Sequence, residues 1–184
     1  MRELSLNVLD IAQNSISAGA SLIEIEILKN TAKNELFIGI YDNGKGMTTQ
    51  QVESVKDPFF TTRTTRKVGM GIPLFTLAAE QTDGRLDISS EVGKGTRVTA
   101  VFRTDSVDYT PLGDINSTVL TLITMNTDRD FIYRFGIDEN EFTLSTSELK
   151  NILGDVQLSE PEVAQWLREY LKEQTDNICG GVRL

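Results

Sequence analysis

Residues 22–28 read Leu-Ile-Glu-Ile-Glu-Ile-Leu, a strict alternation of apolar and charged side chains. Successive side chains of a strand point to opposite faces, so such a run buries one face of a sheet and gives the other to water. A second apolar run, Glu35 to Gly44, ends in Asp-Asn-Gly, and the two read as neighbouring strands joined near Lys29 to Asn34. Upstream, Leu4, Val8, Leu9, Ile11, Ala12 and Ile16 recur at helical spacing as far as the glycine of Ala18 to Ala20, which predicts a helix over 4–17. Downstream come a short helix after Thr48, a helix over 72–82, a strand and turn from Gly84 to Gly95, and a strand over 96–102. Helix, two strands, helix, loop, helix, two strands predicts an α+β fold, a two-layer α/β sandwich with its helices on one face of the sheet.

The stretch from Thr104 to Ser117 is polar and turn-rich, which predicts a linker dividing residues 1–104 from a small C-terminal α+β extension, 105–184. In the extension, 118–125 (TVLTLITM) reads as a strand and 130–146 as a hairpin turning between Gly136 and Asn140. Ser145 with Glu148 reads as a capping box before a helix that stops at Gly154, and Ser159 with Glu162 as a second box. Behind the second box, Val163, Trp166, Leu167, Tyr170 and Leu171 have the spacing of an amphipathic helix. Trp166 and Tyr170 are expected to pack on the hairpin, with a partner-binding face as the alternative, and Cys179 is expected to sit idle in a frayed tail.

Composition narrows the chemistry. With 18 basic against 27 acidic residues the net charge is -9, which argues against a protein that tracks nucleic-acid phosphates. The chain has no histidine and a single cysteine, so Ser-His catalysis, His-ligated metals and disulfide frameworks are excluded. Carboxylates, amides, hydroxyls, Lys and Arg must do whatever is done. The first residues lack the apolar core of a signal peptide and no stretch approaches a membrane span, so a soluble, cytoplasmic protein is expected.

Three clusters stand out. Asp10, Asn14 and Ser17 fall on one face of the first helix, either as a solvated row or as a hard-ligand set in which the Asn14 amide oxygen suits Mg²⁺ and the Asp10 carboxylate orders a water. In Tyr41 to Met47 (YDNGKGM), Asp42 ends an apolar strand while Gly44 and Gly46 allow a ligand close to the backbone, although Asp-Asn-Gly also makes an ordinary turn. In Lys56 to Phe75 (KDPFFTTRTTRKVGMGIPLF), Phe59 and Phe60 precede a Thr/Arg tract with Arg63, Arg66 and Lys67. Gly69 and Gly71 then open a helix whose first N–H groups can meet phosphate, with a plain basic loop as the alternative.

In this order and spacing the motifs resemble the histidine-kinase-like ATPase superfamily, the GHKL group with the Bergerat ATP-binding fold. LDIAQNSISAGA is similar to its N box, YDNGKGM to its first glycine box, DPFFTT to its phenylalanine box, GMGIPL to its second glycine box and GKGT (Gly93 to Thr96) to its closing turn. The likeness runs from about Leu4 to Phe102. It implies ATP or ADP as ligand, Mg²⁺ held by Asn14, and Asp42 accepting the adenine amino group. It also implies a nucleotide-binding set of Gly44, Gly46, Met47, Phe60, Arg63, Lys67, Gly69, Met70, Gly71 and Thr96, with Asp10 as the catalytic carboxylate. Asp10 stands where hydrolysing members carry a glutamate, Ser17 where they carry an aspartate, and Pro73 where many members have another glycine. The shorter carboxylate weights the expectation towards transfer over hydrolysis. The expected protein is a stand-alone regulatory kinase of the anti-sigma type that phosphorylates a partner protein. An ATP-driven switch or slow ATPase is the alternative, and homodimerisation is left open.

Overall fold

The computed structural model describes residues 3–56 and 71–180. The first half follows the order α1 (Leu4–Ser17), β1 (Leu22–Asn30), β2 (Glu35–Asp42), α2 (Thr49–Lys56), α3 (Gly71–Glu80), β3 (Arg85–Glu91) and β4 (Gly95–Arg103). The remainder contributes α4 (Ile115–Met125), β5 (Asp130–Ile137), β6 (Asn140–Ser145), α5 (Thr146–Leu153) and α6 (Pro161–Cys179). One six-stranded sheet has the order β3-β4-β2-β1-β5-β6, antiparallel throughout except where β5 lies parallel to β1, Leu22 opposite Asp130. Residues after 104 therefore lengthen the sheet that the first half begins.

The alternation of β1 does what its chemistry requires. Ile23, Ile25 and Ile27 are buried under α1, α3, α4 and α6, together with Ile38, Ile40, Val98, Phe102, Tyr133 and Phe135. Glu24 and Glu26 project from the opposite face of the sheet, where the Tyr41 hydroxyl donates to Glu26 Oε2 at 2.8 Å and Arg97 lies 4.6 Å from the centre of the Tyr41 ring. On the same face Arg134 links Glu26 (3.2 Å) to Glu141 (2.6 Å). Partial burial, then the hydrogen bond to Glu26, pushes the Tyr41 hydroxyl up to about 12. Since the folded state holds this proton more tightly than the unfolded chain, its contribution to stability is complete below pH ~10 and lost as pH rises towards about 12. Urea midpoints at pH 9 and pH 11 are expected to fall more for wild type than for Tyr41→Phe. Equal losses would remove Tyr41 from the account.

Four expectations about the C-terminal part need correction. Residues 118–125 form the body of helix α4, not a strand: the Asp114 carboxylate caps the Ser117 N–H at 2.9 Å, and Ile115, Val119, Leu122 and Ile123 bury one helical stripe. The β-branched content of the run misled, and period and cap decided. The second capping box also slips, because α6 is capped at Glu160 with Pro161 in its first turn. At α5, Ser145 is the cap residue but its hydroxyl pairs with that of Ser147 at 2.9 Å. Cys179, finally, is the last residue of α6, half-buried against the core, and burial raises its thiol pKa.

Along α6 the amphipathic pattern holds, with Leu167 and Leu171 fully buried. Tyr170 meets Phe142 of β6 edge-on at 6.3 Å, and Trp166 stacks on Tyr170 while staying 48% exposed. Residues 104–114 carry neither helix nor strand, yet they are not a free tether. Leu112 is buried, and the carbonyls of Pro111 and Leu112 accept the first N–H groups of α1 at 3.0 and 2.8 Å. Among the described residues no helix is long and apolar enough to cross a membrane.

Candidate nucleotide site

At one end of the sheet, β2 finishes where antiparallel β4 begins, with Asp42 opposite Thr96, both on the face that carries the helices. Helix α1 crosses above, and the Ser15 hydroxyl donates to Asp42 Oδ2 at 2.6 Å. The other carboxylate oxygen accepts from the Gly44 N–H at 2.9 Å. Two donors on separate elements therefore fix the plane of the Asp42 carboxylate, and each oxygen keeps a lone pair for a ligand. Across the strands the Ser90 hydroxyl lies 2.9 Å from that of Thr96, accepts from the Met47 N–H at 2.8 Å, and donates to the Gly95 carbonyl at 2.9 Å.

The glycines around this carboxylate make a wall of bare backbone. A Cβ on Gly44 would meet Ala18 and Asp42 Oδ1 at 3.0 Å. Gly46 has φ +67°, and a Cβ there would run into the Glu91 carbonyl, while Gly95 has φ +111° and a Cβ there would overlap the Asp42 carbonyl. Only glycine satisfies both the left-handed backbone and the close approach at these two positions. The turn is tied down by Gly93 N–H to the Lys45 carbonyl, 2.8 Å.

The other half of the site lies where α3 begins. Gly71 is buried against Asp10, so close that a Cβ would stand 2.9 Å from that of Asp10, which brings the first and third clusters together. Asp10 is half-buried, whereas Asn14 and Ser17 are exposed further along α1. Phe60, Arg63, Lys67, Gly69 and Met70 lie outside the described residues. Sequence reasoning overlooked Ser15, Ser90 and Asn7. Each occupies an apolar phase of its element: Ser15 follows Val8, Ile11 and Ala12 on the buried stripe, and Ser90 follows Leu86 and Ile88 in β3. Asn7 is 2% exposed, and its amide nitrogen has no hydrogen-bond partner among the described residues. A polar side chain where the period demands an apolar one is the signal that would have found all three.

The family model for the histidine kinase-, DNA gyrase B- and HSP90-like ATPases matches residues 1–106, more than half of the chain. The chain belongs to this family. Sporulation kinase B of Bacillus subtilis (strain 168) is 31% identical over 100 residues, which is 53% of this chain and 23% of the kinase. The sensor histidine kinase ZraS of Escherichia coli O157:H7 is 29% identical over 92 residues, 50% of this chain and 20% of its own length. The matched stretch thus spans less than a quarter of either relative. Among solved structures, the Aquifex aeolicus MutL ATPase domain complexed with ADP aligns with 97% of this chain and 69% of its own, at 15% identity and a TM-score of 0.49. In this histidine kinase-like ATPase domain, the glycine walls and the clamped carboxylate of Asp42 lie within the family-matched residues.

Proposed function

We propose that this chain binds Mg-ATP at this end of the sheet and acts as a cytoplasmic regulatory kinase that passes the γ-phosphoryl group to a partner protein. The observation that carries the nucleotide reading is the Asp42 carboxylate, clamped by Ser15 and Gly44 N–H beside backbone that only glycine can form. An acceptor fixed in plane and flanked by uncovered peptide suits a flat heterocycle with an exocyclic amino group, which adenine is. Gly44, Gly46 and Met47 would line the base, Thr96 would support it through Ser90, and Gly71 would bring the start of α3 to the phosphates.

The residues present fit a magnesium nucleotide. Among the described residues no group of three or more His, Cys, Asp or Glu could hold a metal. A cation here would share phosphate oxygens and water with the amide oxygen of Asn14, exposed on α1 one turn beyond Asp10, the sparse protein ligation that Mg²⁺ accepts. Bound Mg-ATP supplies the activated phosphoryl group. Asp10, beside Gly71, would orient or deprotonate the attacking hydroxyl. The second set of residues, 105–184, would form the partner-facing extension.

Calorimetric titration with ADP and a non-hydrolysable ATP analogue, with and without Mg²⁺, tests the reading. Wild type is expected to bind more tightly with Mg²⁺, and Asn14→Ala to lose about tenfold of that metal-dependent gain while keeping its metal-free affinity. No binding at millimolar nucleotide sinks the proposal. The kinase step is tested with γ-labelled ATP and proteins of the source cells: label on a protein supports transfer, whereas label released only as inorganic phosphate favours the slow-ATPase switch.

A further inference from the structure

The loop between α4 and β5 lies against Ala20 and Ser21, the segment that follows α1, although it falls beyond the family-matched residues 1–106. The Arg129 guanidinium donates to the carbonyl of Ala20, a residue with no exposed surface, and the Asp130 N–H donates to the Ser21 carbonyl at 2.8 Å. Lys150 of α5 holds this loop in turn, reaching the Arg129 carbonyl at 2.7 Å and the Asp130 carboxylate at 2.8 Å. Ala18 to Leu22, the stretch so gripped, is the same one that carries the first glycine turn. Asn43 Oδ1 accepts from the N–H groups of Ser21 and Leu22 at 2.9 and 3.0 Å, and the Lys45 N–H donates to the Ala18 carbonyl at 3.0 Å.

We infer that Arg129 is a positioning residue for the nucleotide base, holding Ala18–Leu22 so that Asn43 to Lys45, and with them the Gly44 N–H that orients Asp42, keep their binding geometry. The inference rests on the nucleotide reading above. A charge-assisted bond to a carbonyl of a fully buried residue is among the stronger local restraints available, and its loss is felt through the backbone at Gly44, whose neighbour Lys45 donates to the Ala18 carbonyl and where even an added Cβ would stand only 3.0 Å from Ala18. The extension thereby sets nucleotide affinity without touching the ligand, and anything that displaces Lys150 changes it.

The test is ADP titration of the full chain. Arg129→Met is expected to weaken ADP binding about fivefold to tenfold. Arg129→Lys, which keeps a cation and donors of similar reach, stays within about twofold of wild type. Leu171→Ala, a core truncation in α6, lowers the melting temperature and leaves ADP affinity unchanged. A purely structural role for Arg129 would make Leu171→Ala weaken ADP binding as much as Arg129→Met does, and that result overturns the inference. Arg129→Met binding ADP as wild type does overturns it too, while leaving the nucleotide reading intact. Failure of wild type itself to bind ADP removes that reading and this inference together.

Discussion

Asp42→Asn is expected to lower affinity for ADP by about a hundredfold or more, with little change in thermal stability. The clamp explains why so small a change should cost so much. Asp42 receives one donor on each oxygen, from Ser15 at 2.6 Å and from the Gly44 N–H at 2.9 Å. An asparagine can satisfy the Gly44 N–H only by turning its NH₂ towards Ser15, whose hydroxyl can then swing to the Ile11 carbonyl, 3.4 Å away in the native arrangement. The fold thus absorbs the substitution. The ligand does not, because an incoming amino group that wants an acceptor meets a donor, and a buried donor pair without acceptors costs far more than one lost hydrogen bond returns. Calorimetry of the variant against ADP decides the matter: binding within tenfold of wild type would mean that Asp42 does not read the base.

For Gly95→Ala the large effect falls on stability. Gly95 combines a φ of +111° with a Cβ position overlapping the Asp42 carbonyl and only 2.9 Å from the Asn43 Cα. Neither neighbour can retreat, since Asp42 is paired in register with Thr96. Strain and overlap together are expected to cost about 3–5 kcal/mol, a fall of about 1–2 M in the urea midpoint. Gly93→Ala separates the two contributions. Gly93 has φ +81° but no atom near its Cβ position, so its substitution carries backbone strain alone and is expected to cost about 1 kcal/mol. Equal losses for the two variants would show that the close approach at Gly95 carries no weight.

What the sequence made legible follows from which forces are local. The period of β1 and the stripe of α1 are each written into about ten consecutive residues, and both elements begin where the pattern says. Asp42 at the end of β2 and the turn through Gly44 and Gly46 are local features of the same kind, placed by a strand end and a glycine conformation. Residues 118–125 were misread because Thr, Val and Ile favour strands on average, and nothing in that octapeptide reveals that Asp114 will cap a helix ahead of it. Ser15 and Ser90 escaped for a different reason. A hydroxyl on an inward-facing stripe is tolerable only if it finds a partner, and those partners are set by strand pairing and packing: Asp42 lies on another element from Ser15, and Thr96 meets Ser90 only once the β3–β4 hairpin is in register. The hold of Arg129 on Ala20 joins positions more than a hundred residues apart, and no local pattern announces it.

The parallel pairing of β1 with β5 bears on how the chain is born. β1 emerges from the ribosome roughly a hundred residues before the strand that will cover its far side, about 5–20 s at ordinary synthesis rates. Throughout that interval the β1 edge presents a ladder of unclaimed peptide groups on the most alternating, β-prone segment of the protein, an invitation to other nascent chains. Glu24 and Glu26 answer it. Their charges, spaced two apart on the face that stays wet in the finished fold, make edge-to-edge stacking of identical chains repulsive until β5 arrives.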